Sequence, residues 1–407
     1  MAIVRPFRGL RPPSEIVRLV ACPPYDVVSV EEARAYARDN ERSFFHISRP
    51  EIDFPAGTDE HSSEVYAQGL RNLQRFQEKG WLRGDLEPTF YVYRQVMGKH
   101  VQAGLVAGAS LDEYDRGLIK KHELTRPDKE DDRTRHIEAL DGNDEPVFLT
   151  YRARPEIDAL VAEVIGGEPE YDFSTEDRIQ HTFWIVRGEA NARVAEVFGR
   201  VPELYVADGH HRSAAASRVR RRLLELGRGP GAQEQFLAVI FPHDQVQILS
   251  YNRVVRDLHG MSAQDFLGAL TRSFEVERAG EGKPSRPREF GMFLDGGWYR
   301  LRARPGSFEP SLRGSLDLSI LQANVLEPLL GVGDPRTDKR INFVGGIRGA
   351  TELERQVTSR EHQVAFFVYP TSLEQLMAIA DAGEVLPPKS TWFEPKLRSG
   401  LVLHLFH

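Results

Sequence analysis

The stretch from Leu204 to Ala216 constrains the fold of this chain more than any other. It begins with a short apolar run, Leu204 to Ala207, which predicts a buried strand. An Asp-Gly pair follows as a turn, and residues 213–226, rich in Ala, Leu and Arg, predict a helix. A strand that passes directly into a helix indicates a fold in which both kinds of element pack in layers.

The polar residues between this strand and this helix suit anion binding. The predicted phosphate-binding residues are Gly209, His210, His211, Arg212 and Ser213. Unpaired amides and the dipole at a helix start attract anions, a glycine admits the ligand to the backbone, and an arginine grips phosphate oxygens in a fork. Asp208 is a candidate to hold a metal ion or to orient a histidine. The alternative is an ordinary strand–turn–helix joint with a solvated turn and a surface arginine.

Composition narrows the classes of function. The chain has 407 residues, of which 28% are charged and 41% hydrophobic, and its formal net charge is −7. No apolar run approaches the roughly 18 residues that cross a bilayer, and residues 1–8 lack a signal-peptide core, so we expect a cytoplasmic protein without a membrane partner. The single cysteine, Cys22, excludes an internal disulfide and a cysteine-based zinc site. The acidic balance argues against nucleic acid and favours a small-molecule partner.

Strands and helices alternate along most of the chain. Residues 63–79 have the apolar spacing of a helix, and Phe44–Ile47 is a short apolar run that predicts a strand. Hairpins are expected around Gly98-Lys99 and around Asp295-Gly296. The alternation predicts an α/β class with an α+β mixed sheet.

The character of the sequence changes near residue 258, where Gly/Pro-rich turns and shorter elements begin. A chain of this length is expected to form more than one domain. We expect an N-terminal α/β domain over 1–257 that carries the phosphate-binding motif. A smaller α+β domain over 258–370 and a C-terminal strap over 371–407 that returns to the site complete the prediction.

A second group of polar residues lies at 120–136, where titratable side chains are dense. The predicted catalytic residues are Lys121, His122, Glu123 and, from the first group, Asp208; Thr125 is a predicted substrate contact. A lysine neutralises phosphate, a carboxylate carries Mg²⁺ or takes a proton, and a histidine titrates near neutrality. A solvated polar helix or loop has the same composition, so both interpretations stay open.

Two further segments present candidate substrate contacts. Tyr25 and Asp26 follow two prolines that fix the backbone, so both are held on a rigid turn. The alternative for Asp26 is to cap the next helix, a role for which Ser29 competes. Asn252 and Arg253 lie on a predicted strand as candidate polar contacts, and an ordinary edge strand explains them equally well.

The C-terminal segment carries Lys389, Ser390 and Thr391 between prolines and aromatic residues. These side chains supply positive charge and hydrogen-bond donors, so we predict that they contact phosphate. The chain ends in an apolar run, 401–406, which favours docking over fraying. The alternative is a purely structural strap.

The sequence has no G-x-x-x-x-G-K-[ST] loop, H-E-x-x-H helix or G-x-S-x-G elbow, which argues against P-loop NTPases, common zinc peptidases and serine hydrolases.

Four motifs together resemble the bacterial and archaeal family known as domain of unknown function 1015. They are Pro23-Pro24-Tyr25-Asp26-Val27, Lys121-His122-Glu123-Leu124-Thr125, Ala207-Asp208-Gly209-His210-His211-Arg212 and Pro387-Pro388-Lys389-Ser390-Thr391-Trp392-Phe393. The resemblance spans nearly the whole chain, and its first and last motifs are specific. It implies no settled activity.

The Gly-His-His-Arg piece at 209–212 also resembles the phosphate-binding box of the wider ParB/sulfiredoxin-like superfamily. That group includes nucleotide-hydrolysing partition proteins, sulfiredoxins and free-serine kinases. The resemblance implies a ParB/sulfiredoxin-like nucleotide-binding core with a second, smaller α+β domain. Sulfiredoxins have a catalytic cysteine where this chain has a histidine, which argues against sulfinate repair. Members of the 1015 family are often encoded near serine-biosynthesis enzymes, which implies phosphotransfer on serine or phosphoserine.

These observations favour an enzyme without establishing one. We expect a phosphotransferase, namely a nucleotide-dependent kinase of a small hydroxyl metabolite such as serine. The expected cofactors are Mg²⁺, held by Asp208, and a nucleotide, ATP or ADP. The alternatives are a phosphoserine phosphatase that uses the same site and a non-catalytic nucleotide-binding switch or metabolite sensor. The choice of base among Glu123, His122 and Asp208 stays open.

Overall fold

The computed structural model describes residues 2–407, which form two compact units. The first unit contains the chain up to Val246 together with Pro395–His407, and the second contains Gln247–Glu394. This division differs from the predicted boundaries at 257 and 370, because strand residues 251–255 pair inside the second unit. Within residues 2–407, no helix combines the length and the apolar character that crossing a membrane requires.

The first unit mixes strands and helices, which confirms the predicted α/β class. Before the second unit its strands are β1 (Val4–Arg5), β2 (Gly9–Arg11), β3 (Arg83–Gly84), β4 (Tyr91–Met97), β5 (His100–Ser110), β6 (Ile119–Lys120), β7 (Gly142–Asn143), β8 (Val147–Tyr151), β9 (Tyr171–Ser174), β10 (Ile179–Ile185), β11 (Leu204–Asp208) and β12 (Gln235–Pro242). Its helices are α1 (Val17–Val20), α2 (Val30–Ala37), α3 (Phe45–Ser48), α4 (Ser63–Glu78), α5 (Leu111–Asp115), α6 (Pro127–Leu140), α7 (Pro155–Ile165), α8 (Glu189–Phe198) and α9 (His210–Glu225).

Nine of these strands form one mixed sheet. Their order is β6-β11-β8-β12-β5-β4-β10-β9, and β1 pairs with β5. β11 runs parallel to β6 and antiparallel to β8, while β12 runs parallel to β8 and antiparallel to β5. Because β6 and β11 are parallel neighbours, the residues that follow them lie towards the same end of the sheet.

Helices α6 and α9 cover this part of the sheet. Ala215, Ala216 and Val219 of α9 are buried in the same apolar cluster as Ile137 of α6 and Val206 of β11. The small alanine side chains keep the first turns of α9 close to the strands, and their i, i+1, i+4 spacing puts them on one helix face. The core thus fixes the direction in which the start of α9 points.

The second unit is a smaller α+β fold. Its strands are β13 (Gln247–Leu249), β14 (Tyr251–Val255), β15 (Phe274–Ala279), β16 (Glu289–Leu294), β17 (Gly297–Ala303), β18 (Ile341–Gly345), β19 (Val364–Val368) and β20 (Trp392–Glu394), and its helices are α10 (Ala263–Leu270), α11 (Asp317–Leu321), α12 (Gly349–Thr358) and α13 (Leu373–Asp381). Six strands form an antiparallel sheet of order β15-β17-β16-β19-β14-β18, and β13 pairs with β20. The predicted hairpin turns at Asp295 and Gly296, whose φ values of 47° and 72° suit an Asp-Gly pair.

After the second unit the chain returns to the first with β21 (Leu403–Leu405), which lies in a small sheet of order β3-β2-β21-β7. The terminal apolar run is buried there, as expected. The strand prediction for Phe44–Ile47 is wrong, since α3 occupies Phe45–Ser48. A four-residue apolar run cannot by its periodicity distinguish a strand from a buried helical turn.

Candidate functional site

The candidate site lies where the parallel strands β6 and β11 end. Ile119 pairs with Leu204 and Lys120 with Tyr205, so both strands run towards the same end of the sheet and β6 ends three residues before β11. The next residues of each strand then meet: the His122 amide points at Nε2 of His210 at 3.5 Å. The structure therefore brings together the two polar groups that the sequence identified separately. The carboxyl ends of neighbouring parallel strands are a common place for ligand sites.

Gly209 makes the sharp change from strand to helix. Its backbone is left-handed, with φ 99° and ψ 29°, and α9 begins immediately after it at His210 without a side-chain N-cap. Side chains other than glycine rarely adopt this conformation. A Cβ on Gly209 would also stand 3.2 Å from Cζ and Nε of Arg212. Helix α9 therefore starts three residues earlier than predicted, and His210, His211 and Arg212 form its first turn.

Arg212 is a buried cation held by several groups. Its Nη1 donates to the carbonyl oxygen of Pro146, while Nη2 lies 3.7 Å from Asp26 and 3.8 Å from Asp208. Burial opposes the charged form, but nearby carboxylates, Asp26 foremost, outweigh it and raise the pKa of Arg212. Its Nε is buried and, among the described residues, meets no hydrogen-bond partner. The guanidinium is thus a fixed positive charge with donor capacity left over.

Asp208, the last residue of β11, is an ionised carboxylate between two cations. Its Oδ2 accepts a hydrogen bond from Nζ of Lys396 at 3.0 Å, and Arg212 lies on its other oxygen. Burial alone would raise its pKa, but Lys396 and then Arg212 prevail and lower it. A magnesium ion at Asp208 would have to displace or face both cations, so the residues there fit the predicted metal ligand poorly.

Tyr25 and Asp26 lie on a short 3₁₀ turn, Tyr25–Val27, directly after the two prolines. Ser29, and not Asp26, caps α2, through a capping box with Glu32. The Asp26 carboxylate remains exposed and faces Arg212. The Tyr25 ring packs under the Arg133 guanidinium, with Cζ 4.0 Å from the ring centroid. This turn therefore presents a carboxylate beside the start of α9.

Glu145 is a buried carboxylate that the sequence did not identify. Its Oε1 accepts hydrogen bonds from the Tyr25 amide at 3.1 Å and the Ser399 hydroxyl at 2.8 Å, while Oε2 is buried without a partner among the described residues. With Asp144 and Arg212 it lines a cavity of about 10 Å³, room for about one water molecule. Burial and the neighbouring Asp144 raise the pKa of Glu145 to about 7.

His122 and His210 are both almost fully buried, with 2% and 5% of their surfaces exposed. Their rings meet edge to face, with centroids 4.4 Å apart. Burial lowers the pKa of His122 to about 4, and burial followed by the proximity of His122 lowers that of His210. The Val206 backbone favours the protonated form of His122, but less than burial disfavours it. Neither ring nitrogen of His122 has a partner in ordinary hydrogen-bond geometry among the described residues. Both rings are therefore uncharged near neutral pH.

The other predicted residues of the first unit surround this pair. Lys121 is exposed, with Nζ 4.3 Å from the Tyr114 ring centroid. Thr125 donates to Glu130 at 2.9 Å, and Nε2 of His211 accepts from the Arg126 amide at 3.0 Å. The buried Ser213 hydroxyl donates to the Gly209 and His210 carbonyls at 3.3 and 3.1 Å. Its hydroxyl hydrogen is therefore engaged within the helix start.

Five predicted residues belong to the second unit. Arg253 is buried and its Nη2 donates to the Pro388 carbonyl at 2.8 Å. Asn252 accepts from the Val368 amide at 3.1 Å. Lys389 is exposed with φ 57°, Ser390 is buried, and Thr391 is half-buried. The predicted contacts of these five residues with phosphate or substrate stay predictions.

Two residues of the site were missed as site residues, Glu145 and Lys396. Glu145 lies in an Asp-Glu-Pro sequence that resembles any polar connection, yet it lies two residues before β8, the antiparallel neighbour of β11. That position was the available signal. Lys396 follows the last predicted motif in the tail. Its partner, Asp208, is 188 residues away in sequence, a separation that no local pattern reveals.

Comparisons with known proteins place the chain in a family. The model of the family described as "Protein of unknown function (DUF1015)" matches residues 4–319. No curated protein matches the chain.

Several solved structures are similar to parts of the chain. A free serine kinase variant in complex with ADP shares 15% identity, with a TM-score of 0.36, over 74% of this chain and 94% of that one. A conserved hypothetical protein from Pyrococcus furiosus has 15% identity and a TM-score of 0.36 over 75% and 98% of the two chains. SbnI with a C-terminal truncation, from Staphylococcus aureus, has 14% identity and a TM-score of 0.38 over 72% and 85%. The activity therefore has to be argued from this chain's own residues.

Proposed function

This chain belongs to the DUF1015 family, and we propose that it is a nucleotide-dependent phosphotransferase that acts on a small hydroxyl compound such as serine. One observation carries the proposal: the left-handed Gly209 starts α9 directly at the end of β11, and the buried Arg212 lies in the first helical turn. A helix start combined with a fixed guanidinium is a favourable arrangement for phosphate oxygens. We also propose a cytoplasmic location, as the sequence suggested.

Phosphate binding in this proposal uses backbone and side chain together. The first-turn amides of α9 and its dipole supply positive potential, and Arg212 adds a charge that its neighbours hold in place. Lys396 already neutralises Asp208, which reduces the repulsion that this carboxylate would exert on a phosphate. The exposed Lys121 supplies further charge at the mouth of the site. Phosphoryl transfer depends mainly on such positioning and charge stabilisation.

A kinase also needs a group that accepts the hydroxyl proton of its substrate. Asp208 is a weak base because Lys396 and Arg212 stabilise its ionised form. His122 is a weak base because burial disfavours its protonated form. We propose Asp26 for this role, since its carboxylate is exposed beside the start of α9, where a bound substrate can reach it, and it lacks the hydrogen bond from Lys396 that Asp208 accepts. The proposed cofactors remain Mg²⁺ with ATP or ADP. Because Asp208 fits a metal ligand poorly, oxygens of the nucleotide phosphates would supply most of the ligands of Mg²⁺.

Two alternatives use the same residues. A phosphoserine phosphatase needs the same phosphate cradle with water as the acceptor, and a metabolite sensor needs the cradle without turnover. Purified protein supplied with ATP or ADP and serine, and separately with phosphoserine, distinguishes them by mass spectrometry of the products. Phosphoserine formed from serine supports the kinase, serine released from phosphoserine supports the phosphatase, and nucleotide binding without either product supports the sensor.

The residue assignment is tested by Arg212→Ala against Arg218→Ala. Arg218 lies on the same helix and pairs with Asp131 and Glu130 at the surface. We expect Arg212→Ala to weaken nucleotide binding by about 1–3 kcal/mol, the usual loss for a charged hydrogen-bond partner, and Arg218→Ala to leave it unchanged. Circular dichroism of both variants establishes that they are folded. Equal affinities in the two folded variants would remove Arg212 from the proposed site.

A further inference from the structure

A group of possible metal ligands lies beside the proposed phosphate cradle. His122 and Glu123 follow β6, and His210 opens α9 after β11. One possible ligand atom from each of the three residues lies within 4.8 Å of the others. Among the described residues this is the one group of three or more His, Cys, Asp or Glu side chains that meets such a spacing. Its residues closely follow the ends of two adjacent parallel strands, which positions their backbones.

The buried histidines support a ligand at this position. The exposed fractions of His122 and His210 are 2% and 5%, and both ring nitrogens of His122 are buried without a hydrogen-bond partner among the described residues. A buried polar atom without a partner is unfavourable, typically by about 1–3 kcal/mol. The apolar contacts of the core do not explain two polar rings at the end of a sheet, next to a half-buried carboxylate. A bound cation would give the His122 ring the partner that it lacks.

We propose that His122, Glu123 and His210 bind a divalent transition-metal ion, such as Zn²⁺, Mn²⁺ or Fe²⁺. Two imidazoles and one carboxylate are the donor set of such ions, whereas Mg²⁺ and Ca²⁺ prefer oxygen ligands throughout. Metal–ligand bonds of about 2.0–2.2 Å require the three ligand atoms to draw together by roughly 1 Å, which side-chain rotations provide. Three protein ligands leave further coordination positions open to water or to an oxygen of a bound anion.

The position of this ion is distinct from the predicted magnesium position. Asp208 is bound to Lys396 and faces Arg212, whereas the proposed ion would be held by His122, Glu123 and His210. Because His210 is the first residue of α9, the ion would stand beside the amides of the phosphate cradle. The proposal does not depend on phosphotransfer, since metal binding is measurable in the absence of nucleotide and substrate.

Metal binding by the tag-free full-length protein tests the proposal. The protein is stripped with a chelator, dialysed separately against Zn²⁺, Co²⁺, Mn²⁺ and Mg²⁺, and its metal content is measured by mass spectrometry. We expect about one equivalent of Zn²⁺ or Co²⁺, visible absorption from bound Co²⁺, and no retained Mg²⁺. Loss of all tightly bound transition metal from the wild-type protein under these conditions overturns the proposal.

Variants locate the ion. We expect His210→Ala, and Glu123→Gln with its unchanged volume, to weaken Zn²⁺ binding at least about tenfold. His404→Ala is the matched control, because His404 is also buried, with an unpartnered Nδ1, but lies in β21. If His210→Ala fails to fold, Glu123→Gln decides. Unchanged Zn²⁺ affinity in Glu123→Gln, or an equal loss in His404→Ala, contradicts the assignment; ADP titration of the stripped protein tests the phosphate cradle independently.

Discussion

Two buried arginines, one in each unit, have opposite electrostatic surroundings. Arg212 in the first unit lies beside Asp26 and Asp208, and its pKa is raised despite burial. Arg253 in the second unit donates to the carbonyls of Tyr251 and Pro388, and burial lowers its pKa to about 9. Among the described residues no carboxylate forms an ion pair with Arg253. Both guanidiniums remain charged at neutral pH, but only one has its charge balanced.

The two arginines differ in how their charge is balanced by neighbouring residues. Arg212 is one member of a group of opposite charges, so its removal takes one of two cations from Asp208 and the cationic neighbour from Asp26. Arg253 carries an unbalanced charge packed against the Phe343 ring, 5.0 Å from its centroid. Its removal relieves a desolvation penalty while it breaks two hydrogen bonds to carbonyl oxygens. The two residues therefore make different predictions for the same substitution.

The largest expected effect is on stability, when each arginine is replaced by methionine. Arg212→Met should lower the free energy of unfolding by about 3–5 kcal/mol, because it removes one partner from the ion pair with Asp208 and the buried donor to the Pro146 carbonyl. Arg253→Met should lower the free energy of unfolding by no more than about 2 kcal/mol. The two lost hydrogen bonds are partly offset because the variant no longer buries an unbalanced charge. Urea unfolding of both variants, each followed by fluorescence, measures the difference. A larger loss in Arg253→Met than in Arg212→Met would break the comparison.

The acidic side of the Arg212 group is examined through Glu145→Gln. The folded-state pKa of Glu145 is raised to about 7 from an ordinary value of 4.5, so the folded protein binds a proton more tightly than the unfolded chain. Stability is therefore lost as pH rises from about 4.5 through 7. Glu145→Gln should remove this loss, so that its stability relative to wild type increases by about 1–3 kcal/mol between pH 5 and pH 8.

The control for this pH dependence is Glu196→Gln, which changes an exposed carboxylate paired with Arg200. Its stability relative to wild type should stay nearly constant over the same pH interval. A flat difference for Glu145→Gln would mean that the carboxyl group is ionised throughout, contrary to its burial beside Asp144.

A smaller effect separates backbone strain from arginine placement. Gly209 and Gly227 flank α9 with φ values of 99° and 83°, so alanine at either position should reduce stability by about 1–2 kcal/mol. Only at Gly209 does the new Cβ meet the Arg212 guanidinium; at Gly227 nothing lies within 4 Å. We expect Gly209→Ala to weaken ADP binding and Gly227→Ala to leave it intact. Equal ADP affinities of the two variants in isothermal titration would show that Gly209 has no role in nucleotide binding.

The smallest expected effect concerns Lys396→Met. Lys396 lowers the pKa of Asp208 in the folded state, so its contribution is present above the ordinary aspartate pKa and is lost as pH falls through the lowered value. We expect a loss of about 1 kcal/mol at pH 7 that shrinks towards pH 3, measured by urea unfolding at both pH values. A loss that grows on acidification would show that the ion pair is not its source.

Local patterns predicted the parts of this fold whose signals are contained in a few residues. The strand at 204–208 followed by a glycine and a helix, and the Asp295-Gly296 hairpin, are such parts. The exact start of α9 was missed because His-His-Arg has no strong helix signal, and the left-handed Gly209 decides where the helix begins. The short run at 44–47 failed because its burial is a property of the tertiary structure.

The candidate site was predictable in its residue types and less so in its contacts. Sequence reasoning found Asp208, Arg212 and the Lys121–Glu123 segment because each carries a recognisable chemistry. It missed Glu145 because an Asp-Glu pair in a connection carries no local mark of burial. The pairing of Lys396 with Asp208 depends on how the chain end returns to the first unit, which is set by packing rather than by neighbouring residues.

The central claim is that the start of α9 binds the phosphates of a nucleotide. The most direct test is nuclear magnetic resonance of protein labelled with ¹⁵N on glycine and arginine, titrated with ADP and, separately, with adenosine, which lacks phosphates. We expect the amide resonances of Gly209 and Arg212 to shift with ADP and to stay in place with adenosine. If saturating ADP shifts other resonances but leaves those of Gly209 and Arg212 in place, the start of α9 does not bind the phosphates.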